Sequence, residues 1–143
     1  MKGWIWRWGP AALLMTIIFF ASATPGPDLP KFGIWDLFAK KGGHMLGYAL
    51  LAAAYLHGLN KGRNVKPLHC ITAVCLAIIY AFSDEWHQKF TPGRSSSLHD
   101  VFIDGIGAGI GLALLCWAKT CFRGRRKSKN SADFTDAKVR DNP

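Results

Sequence analysis

Two stretches of this 143-residue chain carry no charged side chain at all, Ala11 to Ala23 and Leu68 to Ser83. Their lack of charge excludes a soluble helical bundle, in which every helix keeps a charged face toward water. The usual marks of metal and redox sites are also missing. The four cysteines, Cys70, Cys75, Cys116 and Cys121, form no C-x-x-C pair. No H-E-x-x-H or other tight ligand spacing joins His44, His87, His99, Glu85, Asp100 and Asp104, so neither a metal nor another cofactor is expected. The cysteines read as buried apolar residues or reduced thiols. No internal repeat or second domain fits in so short a chain.

What is present is a segregated pattern. Half of the residues are hydrophobic and 19% are charged, for a mean hydropathy of +0.10. The apolar residues gather in four blocks, Trp8 to Ala23, Gly43 to Leu59, Val65 to Ser83 and Val101 to Ala118. Each holds about 16 to 20 residues, and a helix rising 1.5 Å per residue needs about 20 to cross a hydrocarbon layer of about 30 Å. The reading is all-α: an integral membrane bundle of four transmembrane helices over residues 1–118, then a basic tail over 119–143 expected to be disordered.

Lysine and arginine are distributed unevenly around these spans. Segments 1–10, 60–67 and 119–143 hold 2, 3 and 8 of them, against 5 in segments 24–42 and 84–100 together. By the positive-inside rule both termini and the middle loop are cytoplasmic, in a multi-pass protein of the bacterial inner membrane. Asp28, Asp36, Asp84, Glu85, Asp100 and Asp104 then lie at or near the external face. The net charge of +9 describes the cytoplasmic side, where the tail meets anionic lipid, and no nucleic-acid partner is expected. Lys2 and Arg7 precede an apolar run ending in Ala21-Ser22-Ala23, a form that signal peptidases accept, so the first block reads either as a retained span or as a cleaved signal.

Helical periodicity aligns the polar groups. In the last block Asp100, Asp104, Gly107 and Gly111 recur at spacings of 4, 3 and 4 and share one seam. Gly105/Gly109 and Gly107/Gly111 form two overlapping G-x-x-x-G patterns, which let a neighbouring backbone come close and turn the carboxylates inward. His44, Tyr48, Leu51 and Tyr55 repeat the same spacing in the second block. The third block runs on through Asp84, Glu85, His87 and Gln88 to a break at Pro92-Gly93. Beyond it Arg94 and Ser95 to Ser97 lead into the last helix, where a serine can cap the N-terminus. Arg94 beside that N-terminus offers donors for a phosphate or carboxylate. Arg94 paired with Asp100 or Glu85, with the rest as polar glue between helices, is the structural alternative.

These residues resemble the VanZ-like membrane proteins. The matching positions are Lys41, His44 and Tyr48, then Asp84-Glu85, Gln88, Pro92-Gly93-Arg94, Ser97, Asp100, Gly107 and Gly111, within roughly Trp4 to Ala118. Two positions depart: the family usually has Asn where this chain has Asp104, and Lys40 stands where an Asp is common. The resemblance implies a link to glycopeptide resistance, since the founding member is associated with teicoplanin. Two functions follow as expectations. The first is binding or handling of an anionic envelope lipid or lipid-linked cell-wall precursor, with Arg94 as the anion clamp. Lys41, His44, Tyr48, Asp84, Glu85, Gln88, Asp100 and Asp104 would complete that site. The second is an enzyme acting on lipid-linked phosphate, with His44 or Glu85 as general acid or base. Ser95 to Ser97 have no base fixed beside them by sequence, which favours binding over catalysis.

Overall fold

The computed structural model describes residues 2–25, 34–60, 65–94 and 96–140, with side chains over 3–25, 41–60, 65–94 and 96–119. The side chains of Asp28, Asp36, Lys40, Ser95, Cys121 and the basic tail lie outside this description. Among the described residues there are four helices: α1 (Lys2–Ala23), α2 (Ile34–Asn60), α3 (Pro67–Gln88) and α4 (Leu98–Arg140). The chain divides into two units, Met1–Leu112 and Ala113–Pro143. The first carries the polar residues of interest.

Local chemistry sets the helix ends. α3 starts where Lys66 is extended and Pro67 takes the first helical position, whose N–H would have no partner in any case. It ends in two tightening bonds, from Phe90 N to His87 O and from Thr91 N to Gln88 O, both 3.0 Å. A turn follows over Thr91 to Arg94, closed by Arg94 N donating to Thr91 O at 3.2 Å. Pro92 and Gly93 occupy its centre, and Gly93 has φ 72°, which marks a type II turn and favours glycine. Ser97 then caps α4: its Oγ accepts from His99 N at 3.1 Å.

Packing inverts the soluble pattern. α1 and α3 both lie against α2 and touch each other less. The buried stripe of α3 is Ala73, Ala77 and Ala81, all fully enclosed, and Ala52 and Ala108 are enclosed as well. Large apolar side chains face outward instead, among them Leu13, Ile17, Phe20, Leu46, Ile71, Ile79 and Phe102. Small residues inside and large ones outside suit helices that pack closely within lipid.

α4 approaches α2 through glycine. A methyl group on Gly107 would stand 2.6 Å from the Met45 carbonyl oxygen, and one on Gly111 would stand 2.5 Å from Ala49 Cβ. The face that carries Asp100 and Asp104 is therefore the packed one.

Among the described residues three segments are long and apolar enough to cross a membrane: Gly3–Ala23, Pro67–Gln88 and Leu98–Lys119. α2 is not among them, although the sequence reading counts it as the second span. Its Gly42, Gly43, His44, Tyr48, Tyr55, His57 and Asn60 lower its apolar content. Tyr48, Leu51, Ala52, Tyr55, Leu56 and Asn60 are buried, so several of its polar groups face protein and need not be apolar.

Candidate functional site

One end of the first unit gathers polar groups from all four helices. At its centre Ser22 Oγ of α1 donates to Asp84 Oδ2 of α3 at 2.7 Å. Gln88, one turn further along α3, donates through Nε2 to the same oxygen at 3.0 Å and to Ser22 Oγ at 3.4 Å. Ser22, Asp84 and Gln88 are all at most 4% exposed, so each depends on the others for partners that water cannot supply.

Tyr48 of α2 reaches toward this centre. Its ring is fully buried, and its hydroxyl interacts with both Asp84 and Asp104 without a well-aligned hydrogen bond among the described residues. His44 stacks on it at 6.3 Å between centroids, and Tyr80 flanks it at the same distance. Tyr80 donates its hydroxyl proton to Met15 O at 2.6 Å, which ties α3 to α1.

α2 and α4 meet in a ladder. Lys41 Nζ lies 3.4 Å from Asp100 Oδ1, and His44 Nδ1 lies 3.9 Å from Asp104 Oδ2. The contacts of Met45 with Gly107 and of Ala49 with Gly111 continue the same register. Asp104 is 3% exposed and also interacts with Asp84, Glu85 and Asp100, so four carboxylates share this region.

Arg94 is engaged elsewhere. Its Nε donates to Thr24 O at 3.1 Å and its Nη2 to Ala21 O at 2.7 Å. Those carbonyls belong to the end of α1, where the last acceptors of a helix have no partner within it. The guanidinium closes α1, and among the described residues it pairs with neither Asp100 nor Glu85. Glu85 also serves a helix end: its Oε2 accepts from Ser97 N at 3.0 Å, at the start of α4. A carboxylate suits that positive end. Lys41, His44, Tyr48, Asp84, Glu85, Gln88, Asp100 and Asp104 thus cluster at one end, with Arg94 bracing the rim.

A groove of about 300 Å³ opens beside the cluster, between α3 and α4. Phe82, Trp86, Leu98 and Val101 form its apolar walls, and Glu85, Lys89, Ser96 and Ser97 form its polar part. Lys89 Nζ stands 4.7 Å over the Trp86 ring. A shallower apolar furrow of about 480 Å³, lined by Ile78, Ile79, Phe82, Ser83 and Trp86, shares Phe82 and Trp86 with it. The two form one track.

Ser22, Tyr80, Trp86 and Lys89 are contributors that the sequence reading did not single out. Two had visible signals: an uncharged hydroxyl at the acidic end of an apolar run, and a tryptophan followed by a lysine at a membrane boundary. Among the described residues no group of three His, Cys, Asp or Glu side chains is arranged to hold a metal ion.

The sequence profile of the VanZ/LLP1 family matches residues 8–119. No curated protein and no solved structure matches the chain.

Proposed function

The chain belongs to the VanZ/LLP1 family, and from that premise we propose that it is a four-span protein of the bacterial cytoplasmic membrane. In this reading it binds an envelope lipid, or a lipid-linked cell-wall precursor, through an anionic headgroup at the external end of the bundle. The link to glycopeptide tolerance comes from the family resemblance. α2 is the second span and completes the four: its 27 residues reach about 40 Å at 1.5 Å each, and its buried polar side chains are sheltered by the neighbouring helices. Both termini and the loop between α2 and α3 face the cytoplasm, which agrees with the excess of lysine and arginine there. Reporter fusions after Lys66 and Lys129 should both read cytoplasmic, and an external signal at either would overturn the map.

The observation that carries the binding reading is the amphipathic groove. It combines apolar walls for a chain with Lys89 and the start of α4 for a phosphate, directly beside the carboxylate cluster. Arg94 supports it as a positioning residue, by holding the end of α1 against the loop that forms the rim. The second reading is an enzyme acting on lipid-linked phosphate, favoured by the presence of the Glu85 carboxylate in the groove wall. His44, beside Asp104, is the other acid or base in that scheme.

Mass spectrometry of lipids that co-purify with the wild type and with Lys89→Ala tests binding. Loss of a bound lipid phosphate in the exposed-lysine variant supports it, and identical lipid content overturns it. Glu85→Gln separates the readings, because a general acid or base fails on losing its titratable proton whereas a hydrogen-bonding wall residue keeps partial function.

A further inference from the structure

Glu85 and Lys89 stand one turn apart on α3 with the acid on the N-terminal side, the spacing and order that best support an ion pair on a helix. They do not form one among the described residues. Glu85 accepts from Ser97 N at 3.0 Å, while Lys89 lies over the Trp86 ring. Both nevertheless line the same groove. Its polar part therefore offers one negative and one positive group, held apart by separate local interactions and about 5 to 6 Å from each other at Cβ.

From this arrangement, and resting on the reading that the groove takes a lipid headgroup, we infer that it selects lipid phosphates whose headgroup also carries a primary amine. The phosphate takes Lys89, supported by the positive end of α4. The ammonium takes Glu85. A phosphate with no amine would bring its charge against the Glu85 carboxylate, which Ser97 N stabilises but does not neutralise, and this is unfavourable at a residue only 6% exposed. A trimethylammonium has no N–H to donate, so choline lipids satisfy the carboxylate less well than a primary ammonium with three donors. One chain of the lipid follows the track past Trp86 and Phe82 to Ile78 and Ile79.

The test uses the full-length protein, stripped of lipid in detergent and titrated with dioleoyl phosphatidylethanolamine, its N-acetylated derivative, phosphatidylglycerol or phosphatidylcholine, with bound lipid counted by native mass spectrometry. Phosphatidylethanolamine should bind about tenfold more tightly than the other three, and N-acetylation, which keeps the phosphate and both chains, should remove that advantage. Glu85→Gln retains an acceptor for Ser97 N while losing the charge, and should erase the preference without abolishing phosphatidylglycerol binding. Lys89→Ala should weaken all four lipids. Equal wild-type binding of the four lipids, still sensitive to Lys89→Ala, overturns the amine selectivity and leaves the lipid-binding reading intact. Equal binding insensitive to Lys89→Ala means annular contact only and overturns both. The comparison of acetylated with free amine needs no variant, so a poorly folded Glu85→Gln protein does not blunt it.

Discussion

Replacing Gly107 with alanine adds a single methyl group at the closest approach of α4 to α2. That carbon would stand 2.6 Å from the Met45 carbonyl oxygen and 3.0 Å from Met45 Cα. Both are backbone atoms, so no side-chain rotation relieves the overlap and the two helices must separate. Overpacking of this kind costs about 1 to 3 kcal/mol, whereas alanine in place of glycine inside a helix returns about 0.5 to 1 kcal/mol. The balance is a loss of up to about 2.5 kcal/mol, read as a fall of about 2 to 8 °C per kcal/mol in the thermal midpoint of the detergent-solubilised protein. Gly109, two residues away on the same helix, has nothing within 4 Å of the added carbon. Gly109→Ala keeps only the propensity gain and should raise the midpoint slightly. Gly111→Ala should behave like Gly107→Ala, since its new carbon would meet Ala49 Cβ at 2.5 Å and Cα at 3.0 Å. Midpoints that move together for Gly107→Ala and Gly109→Ala would refute the close seam, and with it the inward placement of Asp100 and Asp104.

Arg94→Ala removes two bonds from a charged donor to the end of α1 and should cost about 1 to 3 kcal/mol in thermal melts, with Arg94→Lys intermediate because an ammonium cannot span both carbonyls as a fork does. An unchanged Arg94→Ala midpoint would rule out the capping role. Ser22→Ala leaves Asp84 Oδ2 with Gln88 as its one remaining donor among the described bonds and should cost a similar amount, about 1 to 3 kcal/mol. A silent Ser22→Ala would mean that water reaches the centre. Gly93→Ala forces a side chain onto φ 72° at a cost of about 1 to 2 kcal/mol, while Gly93→Asn should be milder. Equal melts for these two variants would argue against the type II turn that delivers Arg94.

Much of this architecture was legible because it repeats. A run such as Leu68 to Ser83 signals a helix in lipid through many residues at once, so no single position has to be interpreted correctly. The α4 seam was readable for the same reason: a period of 3.6 residues puts Asp100, Asp104, Gly107 and Gly111 on one line wherever the helix goes, and glycine implies a close neighbour. The gathering of carboxylates at one end followed from where the apolar blocks stop.

The partners of those groups belong to the tertiary structure alone. Arg94 could meet any acceptor near the external end, and its carbonyls on α1 lie 70 and 73 residues away in the chain. Asp84 finds Ser22 across 62 residues, at a position where the sequence suggested only a cleavage form. α2 reads as an apolar block in the sequence yet is too polar to stand among the candidate spans, and what shelters its tyrosines Tyr48 and Tyr55 is the packing of the other helices around it. The groove takes walls from both sides of the α3–α4 turn, with Trp86 and Leu98, both outward-facing, among its lining. Periodicity is a local property that each helix carries by itself. Which helix ends meet, and hence which polar group finds which partner, depends on how the helices pack, and that is decided by the small residues where they touch.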